Sequence, residues 1–262
     1  MKHKLFNILA IVLMSTLIFN GCDSSARKDS ESCCKLSDKE IYEWRIYTLT
    51  GDGAGLDAYF KDALIPAYNR CGVSVGAFSL FKEEENEQRY LLFVYPDLMI
   101  YNKVRQTVWS DADYQNAARS FFETSASDHA YTEYETYICE AFDKIPKMRM
   151  PDKNRTLFEY RCYHSPNEDA NQRKIKMFNA EEIDLFDKVG INSVCYGEVL
   201  SGTHMPALIY LTWSIDEPTR NEAWATFSAH PEWKEMKGKQ EYKNTATRNQ
   251  VKLLSPLPYS QF

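Results

Sequence analysis

The sequence lacks the short motifs that identify most metalloproteins and nucleotide-binding proteins. It has no C-x-x-C, H-x-x-x-H or H-E-x-x-H pattern, so no metal-ligand spacing is present. It also has no dinucleotide-binding fingerprint. The glycine-rich stretch Gly51–Gly55 lacks the lysine and the spacing of a phosphate-binding loop, which favours a turn between a strand and a helix. We therefore predict no metal site and no nucleotide cofactor.

Positive charge is also scarce. The chain has 31 Lys and Arg against 37 Asp and Glu, a formal net charge of −6. A polyphosphate partner requires neutralising cations, and no cluster of Lys and Arg interleaved with aromatic residues occurs. Nucleic-acid binding is therefore not predicted. The partners that remain are a small-molecule ligand, a membrane and further copies of the chain.

Long apolar runs are confined to the N-terminus. A basic start, Met1–Lys4, precedes the apolar run Leu5–Phe19, and polar residues follow from Asn20. A membrane-spanning helix needs roughly 20 apolar residues, and this run is shorter. The pattern predicts a signal peptide over residues 1–21.

The pair Gly21-Cys22 resembles the cleavage and lipidation site of bacterial lipoproteins. An acyl chain on Cys22 would tether the protein to a membrane of the bacterial cell envelope. Residues 22–40, rich in Ser, Lys, Asp and Glu, then form a polar tether. The alternative is ordinary cleavage that leaves a free Cys22. The pairing of the other cysteines is open, although those in apolar segments are typical of buried free thiols: Cys71, Cys162 and Cys195.

The rest of the chain contains an internal repeat. Tyr42–Tyr47 (YEWRIY) recurs 116 positions later as Phe158–Tyr163 (FEYRCY). Cys71–Val73 likewise recurs as Val189–Ile191, 118 positions later. Such self-similarity indicates two copies of one structural unit.

Each copy shows the same order of patterns. Alternating strands and helically spaced apolar positions predict β-α-β-β-α-β, the ferredoxin-like unit. We place the first unit at residues 41–145, a linker at 146–155 and the second unit at 156–262. Pro66 is expected to bend or break the first helix, and Gly72 to end it.

A single unit of this kind leaves one apolar face of its sheet uncovered. Two units in one chain can cover these faces against each other, as in a pseudo-dimeric α/β barrel. We therefore expect an α+β fold with an intramolecular barrel. Two independent, unpacked domains are the alternative.

The second copy resembles the NIPSNAP family of the dimeric α/β-barrel superfamily. The resemblance rests on the strand motif Phe158–Tyr163, the helix start Pro231-Glu232-Trp233 and the terminal segment Leu253–Tyr259. It covers residues 156–262, and residues 41–142 show a weaker similarity to the same family. Ile209 and Leu211 occupy positions at which the family often has histidine and tryptophan.

The strand motif supplies the candidate site residues. Side chains alternate along a strand, so Glu43, Arg45 and Tyr47 share one face, as do their counterparts in the second copy. In a structural interpretation, Arg45 would pair with Glu159 and Arg161 with Glu43 across the pseudo-two-fold axis. In a functional one, an arginine would hold an anionic ligand beside a tyrosine. The candidate ligand-binding residues are Arg45, Tyr47, Arg161, Tyr163, His164 and Trp213.

Two functions follow from the resemblance. The first is binding of a small apolar or aromatic molecule in a barrel cleft, or an interaction role in the envelope. The second is a cofactor-independent or haem-dependent monooxygenase or isomerase, chemistries that the superfamily supports. A haem would need an axial donor, for which His164, His230 or a tyrosine is available. His230 precedes Pro231, which predicts a helix cap instead.

Overall fold

The computed structural model describes residues 38–82 and 87–262. The predicted signal peptide, Cys22 and most of the tether lie outside these residues. Within them, Glu40 at the end of the predicted tether already contacts the folded body, because its backbone N–H donates to the carbonyl of Pro146 at 2.9 Å. None of the helices in the described part of the chain is long and apolar enough to cross a membrane.

The first half has the predicted order of elements. It contains, in chain order, β1 (Ile41–Leu49), helix α1 in three segments (Ala54–Tyr59, a π-helical turn Phe60–Leu64, and Ile65–Arg70), β2 (Ser74–Leu80), β3 (Gln88–Tyr95), α2 (Leu98–Trp109), α3 (Ala112–Phe122) and β4 (Tyr131–Ala141).

The second half repeats this order. It contains β5 (Leu157–His164), helix α4 in three segments (Glu168–Met177, a π-helical turn Phe178–Glu182, and Ile183–Val189), β6 (Asn192–Ser201), β7 (Ala207–Ser214), α5 (Glu217–Ala229), α6 (Pro231–Gly238), a short 3₁₀ turn (Gln240–Tyr242) and β8 (Arg248–Pro256).

The eight strands form one closed barrel in the order β1-β3-β2-β8-β5-β7-β6-β4. Each half contributes four strands, and the halves join where β2 pairs with β8 and β4 pairs with β6. The predicted intramolecular barrel is confirmed, and the alternative of two unpacked domains is wrong.

Strand alternation divides the core into three layers. On β1 and β5, even-numbered residues such as Trp44 and Tyr160 point into the barrel, where their rings meet edge-on with centroids 5.0 Å apart. Odd-numbered residues such as Tyr47 and Tyr163 point outward and pack against the helices of their own half. The outer face therefore holds the strand motif of each half, between sheet and helices.

The first helix of each half contains a π-helical turn at the same repeat position, beginning at Phe60 and Phe178. Pro66 lies beyond this turn in the first half, and the second half has no proline there, so the proline does not account for the irregularity. The helices end as predicted, at Gly72 (φ +77°) and Gly190 (φ +82°), because glycine adopts positive φ without a steric penalty.

The C-terminal segment ties the second half to the first. The N–H of Leu257 donates to the carbonyl of Ala77 at 2.9 Å, and Tyr259 donates to Asp57 at 2.8 Å. The segment ends at Phe262, which is buried in the barrel-interior cluster. Residues after β8 thus close one end of the barrel.

Candidate functional site

Each half has a cavity between the outer face of its sheet and its helices. The N-terminal cavity, of about 820 Å³, is lined by Arg45, Tyr47, Tyr59, Leu64, Tyr68, Asn102, Arg105, Gln106, Val108, Trp109, Ser110, Tyr114, Phe121, Phe122, Tyr131 and Tyr134. The C-terminal cavity, of about 580 Å³, is lined by Arg161, Tyr163, Lys174, Met177, Glu182, Arg220, Trp224, Phe227, Ser228, Trp233, Lys237, Tyr242, Asn244, Thr245, Ala246 and Asn249.

A buried carboxylate holds the arginine of the N-terminal cavity. Glu43 accepts a hydrogen bond from Nε of Arg45 at 2.7 Å and from the hydroxyl of Tyr95 at 2.5 Å. Arg45 also donates to the hydroxyl of Tyr68 at 2.8 Å, and its guanidinium lies 4.4 Å from the ring centre of Phe93. The guanidinium is fixed at the floor of the cavity.

In the C-terminal cavity one carboxylate is shared by two arginines. Glu159 accepts from Nε of Arg161 at 2.6 Å, and from Nε and Nη2 of Arg220 at 2.8 and 2.7 Å. The indole N–H of Trp224 donates to the same carboxylate at 2.7 Å. Burial by itself raises the pKa of Glu159, but the hydrogen bond from Arg220 and the two positive charges outweigh it, so the pKa lies below its usual value.

The cross-axis ion pairs that the repeat suggested are wrong. Arg45 pairs with Glu43 and Arg161 with Glu159, each two positions along its own strand. The reason is strand alternation: these odd-numbered side chains point outward to the helices, whereas aromatic and aliphatic side chains occupy the barrel interior where the halves meet. That each Glu, Arg and Tyr share one face is confirmed.

Two candidate residues of the strand motif line the cavities with their arginines. Tyr163 accepts a hydrogen bond from Arg161 at 2.9 Å and lies 2.8 Å from the hydroxyl of Tyr210. Tyr47 stacks on Tyr134 with ring centroids 4.8 Å apart. The structure thus brings together Arg45 with Tyr47, and Arg161 with Tyr163, in separate cavities.

His164 and Trp213 do not join them. His164 lies on the interior side of β5, with Nε2 3.7 Å from the sulfur of Cys162 and Nδ1 2.8 Å from the carbonyl of His204. Trp213 packs against the barrel-interior cluster. Both were predicted near the ligand, but both point to the opposite face of the sheet from the cavities.

Sequence reasoning missed several residues of the C-terminal cavity. Lys174 and Glu182 form a buried ion pair at 2.9 Å, and the ammonium group lies 4.7 Å from the ring centre of Phe178. The π-helical turn brings these two residues together eight positions apart, whereas a regular helix pairs charges at a spacing of three or four. Arg220 was also missed, although it follows the helix cap Asp216 by four residues.

Three tyrosines of the N-terminal cavity have a raised pKa and are neutral hydroxyl groups at physiological pH. Burial raises the pKa of Tyr47, Tyr59 and Tyr114 above the usual value. Tyr59 and Tyr114 are also joined by a hydrogen bond of 2.7 Å between their hydroxyls. Among the described residues that line this cavity, none carries a carboxylate or an imidazole.

A haem needs an axial donor, and the cavity linings supply few of the usual ones. The described lining residues include no histidine or cysteine. Of the lining tyrosines, Tyr163 is held by Arg161 and Tyr210, and a raised pKa disfavours the phenolate of Tyr47 that iron ligation would need. The donors proposed from the sequence are elsewhere: His164 has partners at both ring nitrogens, and His230 caps α6 by accepting from the N–H of Glu232, as predicted.

Neither a metal-ion cluster nor the nucleophile turn of a hydrolase occurs in the described residues. They contain no group of three or more His, Cys, Asp or Glu side chains that could hold a metal ion. The letters G-x-S-x-G occur at Gly72–Gly76, but there the chain leaves a helix and enters β2. A hydrolase nucleophile requires the reverse, a strand that turns into a helix.

The family assignment follows from a sequence match over the second half. Residues 158–261 match the NIPSNAP family model. The second half is a NIPSNAP domain. Its limits agree with the range of 156–262 expected from the motifs, and it contains the whole C-terminal cavity. The family match does not extend to the first half, which repeats the same order of elements and completes the barrel.

Solved structures with the same fold include putative monooxygenases. One from Fusobacterium nucleatum is 8% identical, with 85% of this chain and 94% of that chain covered and a TM-score of 0.55. Another from Lactobacillus acidophilus is 11% identical, with 83% and 94% covered and a TM-score of 0.55. At these identities the likeness shows a dimeric α/β-barrel fold and nothing of the reaction.

A NIPSNAP-like domain protein from Burkholderia xenovorans is 24% identical over a shorter region. The match covers 41% of this chain and 90% of that chain, with a TM-score of 0.37. No curated protein matches the sequence significantly.

Proposed function

We propose that the protein binds a small aromatic or apolar molecule in the N-terminal cavity, with Arg45 as a polar contact at the cavity floor. The observation that supports this most directly is the lining, in which nine side chains are aromatic. Ligand cavities of roughly 300–1,000 Å³ with apolar walls and a few placed polar groups are typical of small-molecule sites. A volume of about 820 Å³ fits that class.

The aromatic lining extends to the mouth of the cavity. Trp109, Phe122 and Tyr134 are 65%, 42% and 47% exposed. Deeper in the cavity, Tyr59 stacks on Phe121 with ring centroids 4.2 Å apart and planes within 5°. Exposed and stacked rings of this kind offer a surface against which a planar apolar guest can pack.

Binding fits this cavity better than acid–base catalysis. General acid–base catalysis needs a group whose pKa lies near the working pH. Every lining tyrosine whose pKa is shifted has a pKa above the usual value. The two cations of the cavity are arginines, which stay charged. An oxygenase or isomerase function is the alternative outcome, since it would turn the bound molecule over.

The test is fluorescence titration with N-phenyl-1-naphthylamine, a neutral aromatic probe. Trp109→Ala and Tyr134→Ala remove exposed rings at the cavity mouth, so both variants should fold, and each should weaken binding by about tenfold. Leu200→Ala is a matched control, because Leu200 is 45% exposed and does not line the cavity.

Unchanged affinity in both ring variants, or an equal loss in Leu200→Ala, would disprove binding at this cavity. Mass spectrometry of the probe after incubation in air separates binding from turnover. Recovery of intact probe supports the binding function, and oxidised or isomerised product supports the enzyme.

We also propose that an acyl chain on Cys22 anchors the protein in the bacterial cell envelope. The basic start, the short apolar run and the Gly21-Cys22 pair support this. The wild-type protein should fractionate with membranes, and Cys22→Ser should move it to the soluble fraction. The same distribution for both would contradict lipidation at this residue.

A further inference from the structure

The two cavities occupy equivalent places in the repeat but differ in polarity. In the first half, Leu56 and Leu64 lie on either side of the start of the π-helical turn, and both are buried. The positions 118 residues later hold Lys174 and Glu182, which are also buried. The second half therefore keeps a charged pair where the first half has two leucines.

The helix that follows the third strand of each half shows the same divergence. Its N-cap is Asp97 in the first half and Asp216, 119 positions later, in the second. With the helices aligned on these caps, Tyr101 corresponds to Arg220. Glu43 consequently pairs with one arginine, whereas its counterpart Glu159 pairs with two.

The C-terminal cavity therefore has an excess of positive charge. Four cationic residues line it: Arg161, Lys174, Arg220 and Lys237. Two carboxylates oppose them, Glu182 in the lining and Glu159 beneath it. This excess contrasts with a chain whose formal net charge is −6.

The arginines retain donors for a ligand. A guanidinium carries five N–H donors. Arg220 directs Nε and Nη2 to Glu159 and Nη1 to Asn221, and Arg161 directs its donors to Glu159 and Tyr163. Because Nη1 and Nη2 each carry two hydrogens, these contacts leave N–H groups on both side chains. An arginine pair with fixed geometry is suited to bind a carboxylate.

The same cavity offers an apolar surface beside these cations. The ring of Trp224 stacks with the guanidinium of Arg161 at 3.7 Å, and Phe227 and Trp233 lie with centroids 4.5 Å apart. Met177 completes this side, and Asn244 and Asn249 add polar groups. Cations and rings within one cavity of about 580 Å³ match a molecule with an acidic group and a planar apolar body.

We propose that the C-terminal cavity is a second binding site, specific for an aromatic carboxylate whose acidic group is held by Arg161 and Arg220. This site is independent of the aromatic site in the first half. The duplicated barrel would then carry two cavities of different ligand preference, a neutral one and an anionic one.

The test compares 1-naphthoate with 1-naphthamide by isothermal titration calorimetry on the folded protein. The two probes share shape and ring system and differ in charge. The wild-type protein should bind the acid about tenfold more tightly than the amide, as expected for charge-assisted hydrogen bonds. Arg220→Tyr copies Tyr101 of the first half, and it should abolish this preference while it changes the affinity for the amide little.

Lys237→Gln provides a second variant at an exposed rim position, so its folding is not at risk. It should lower the affinity for naphthoate and leave that for naphthamide unchanged. Arg105→Gln is the matched control in the other cavity and should preserve the preference for the acid.

Equal affinities for the two probes in the wild-type protein would overturn the proposal, as would a preference that survives both Arg220→Tyr and Lys237→Gln. A preference lost in Arg105→Gln would place the anion in the other cavity and would also overturn it. None of these outcomes depends on the N-phenyl-1-naphthylamine titration, which tests the N-terminal cavity alone.

Discussion

Arg220 donates two hydrogen bonds to Glu159, 61 residues earlier in the chain, and so joins helix α5 to strand β5. Glu159 is almost fully buried and also accepts from Arg161 and Trp224. This network fixes the floor of the C-terminal cavity. It also explains how two arginines can lie close together inside the fold, because their shared carboxylate offsets part of their repulsion.

Removal of that shared carboxylate should be costly. Glu159→Gln leaves two part-buried guanidiniums without a negative partner, and breaking a buried pair in this way costs about 3–5 kcal/mol of unfolding free energy. Glu43→Gln is the matched variant in the first half, where only one arginine loses its partner. Urea unfolding at neutral pH should show the larger loss for Glu159→Gln, and equal losses would contradict the shared role of this carboxylate.

The same carboxylate should make stability depend on acid pH. Burial raises the pKa of Glu159, but the hydrogen bond from Arg220 and the nearby positive charges lower it by more. The net result is a pKa below the ordinary 4.5. A depressed pKa stabilises the folded state above the ordinary pKa, and the contribution disappears as pH falls through the folded value. The unfolding free energy of the wild-type protein should therefore fall below about pH 5 more steeply than that of Glu159→Gln. Parallel pH profiles would exclude this residue as a source of acid sensitivity.

Most of the fold could be predicted because it depends on local patterns that recur. The repeated strand motif, the glycines that end α1 and α4, and the alternation on β1 and β5 determined the order of elements and the need for a second sheet. The barrel itself followed from the uncovered apolar face, since the even-numbered aromatic residues of both halves fill one interior.

The candidate site was predicted less well because it depends on which face of each strand meets the helices. The motif identified Arg45, Tyr47, Arg161 and Tyr163, which line the cavities. His164 follows Tyr163 directly, so strand alternation turns its side chain to the opposite face of the sheet. Its position next to Tyr163 in the sequence had suggested that the two side chains lie together. The contact of Arg220 with Glu159 joins distant segments, and no spacing rule in one sequence predicts it.

The buried pair of Lys174 and Glu182 should be replaceable by the residues of the first half. The double variant Lys174→Leu/Glu182→Leu copies Leu56 and Leu64, and exchange of a buried ion pair for apolar side chains is often neutral or stabilising by about 1–4 kcal/mol. Lys174→Leu alone leaves Glu182 buried without its partner and should cost about 3–5 kcal/mol.

Thermal and urea unfolding of the two single variants and the double variant measure this coupling. The double variant should be more stable than either single one. If it is the least stable of the three, the cavity requires the ion pair, and the two halves are not interchangeable at these positions.

Gly76 and Phe262 should be energetically coupled at the end of the barrel. A Cβ placed on Gly76 would collide with the ring of Phe262, the last residue of the chain, and this ring is almost fully buried. Gly76→Ala should therefore destabilise the protein by about 1–3 kcal/mol through overpacking. Phe262→Ala should cost about 3–5 kcal/mol, because it removes a buried ring.

The double variant Gly76→Ala/Phe262→Ala decides whether the two residues act through one contact. With the Phe262 ring absent, the methyl group introduced by Gly76→Ala loses its two nearest clashes, and only the ring of Phe78, 2.9 Å away, must still shift. The double variant should therefore be less destabilised than the sum of the single variants by about 1 kcal/mol or more. Urea unfolding of all four proteins gives this coupling energy. A strictly additive result would show that Phe262 does not pack on β2 in solution, and the closure of the barrel by the C-terminal segment would then be wrong.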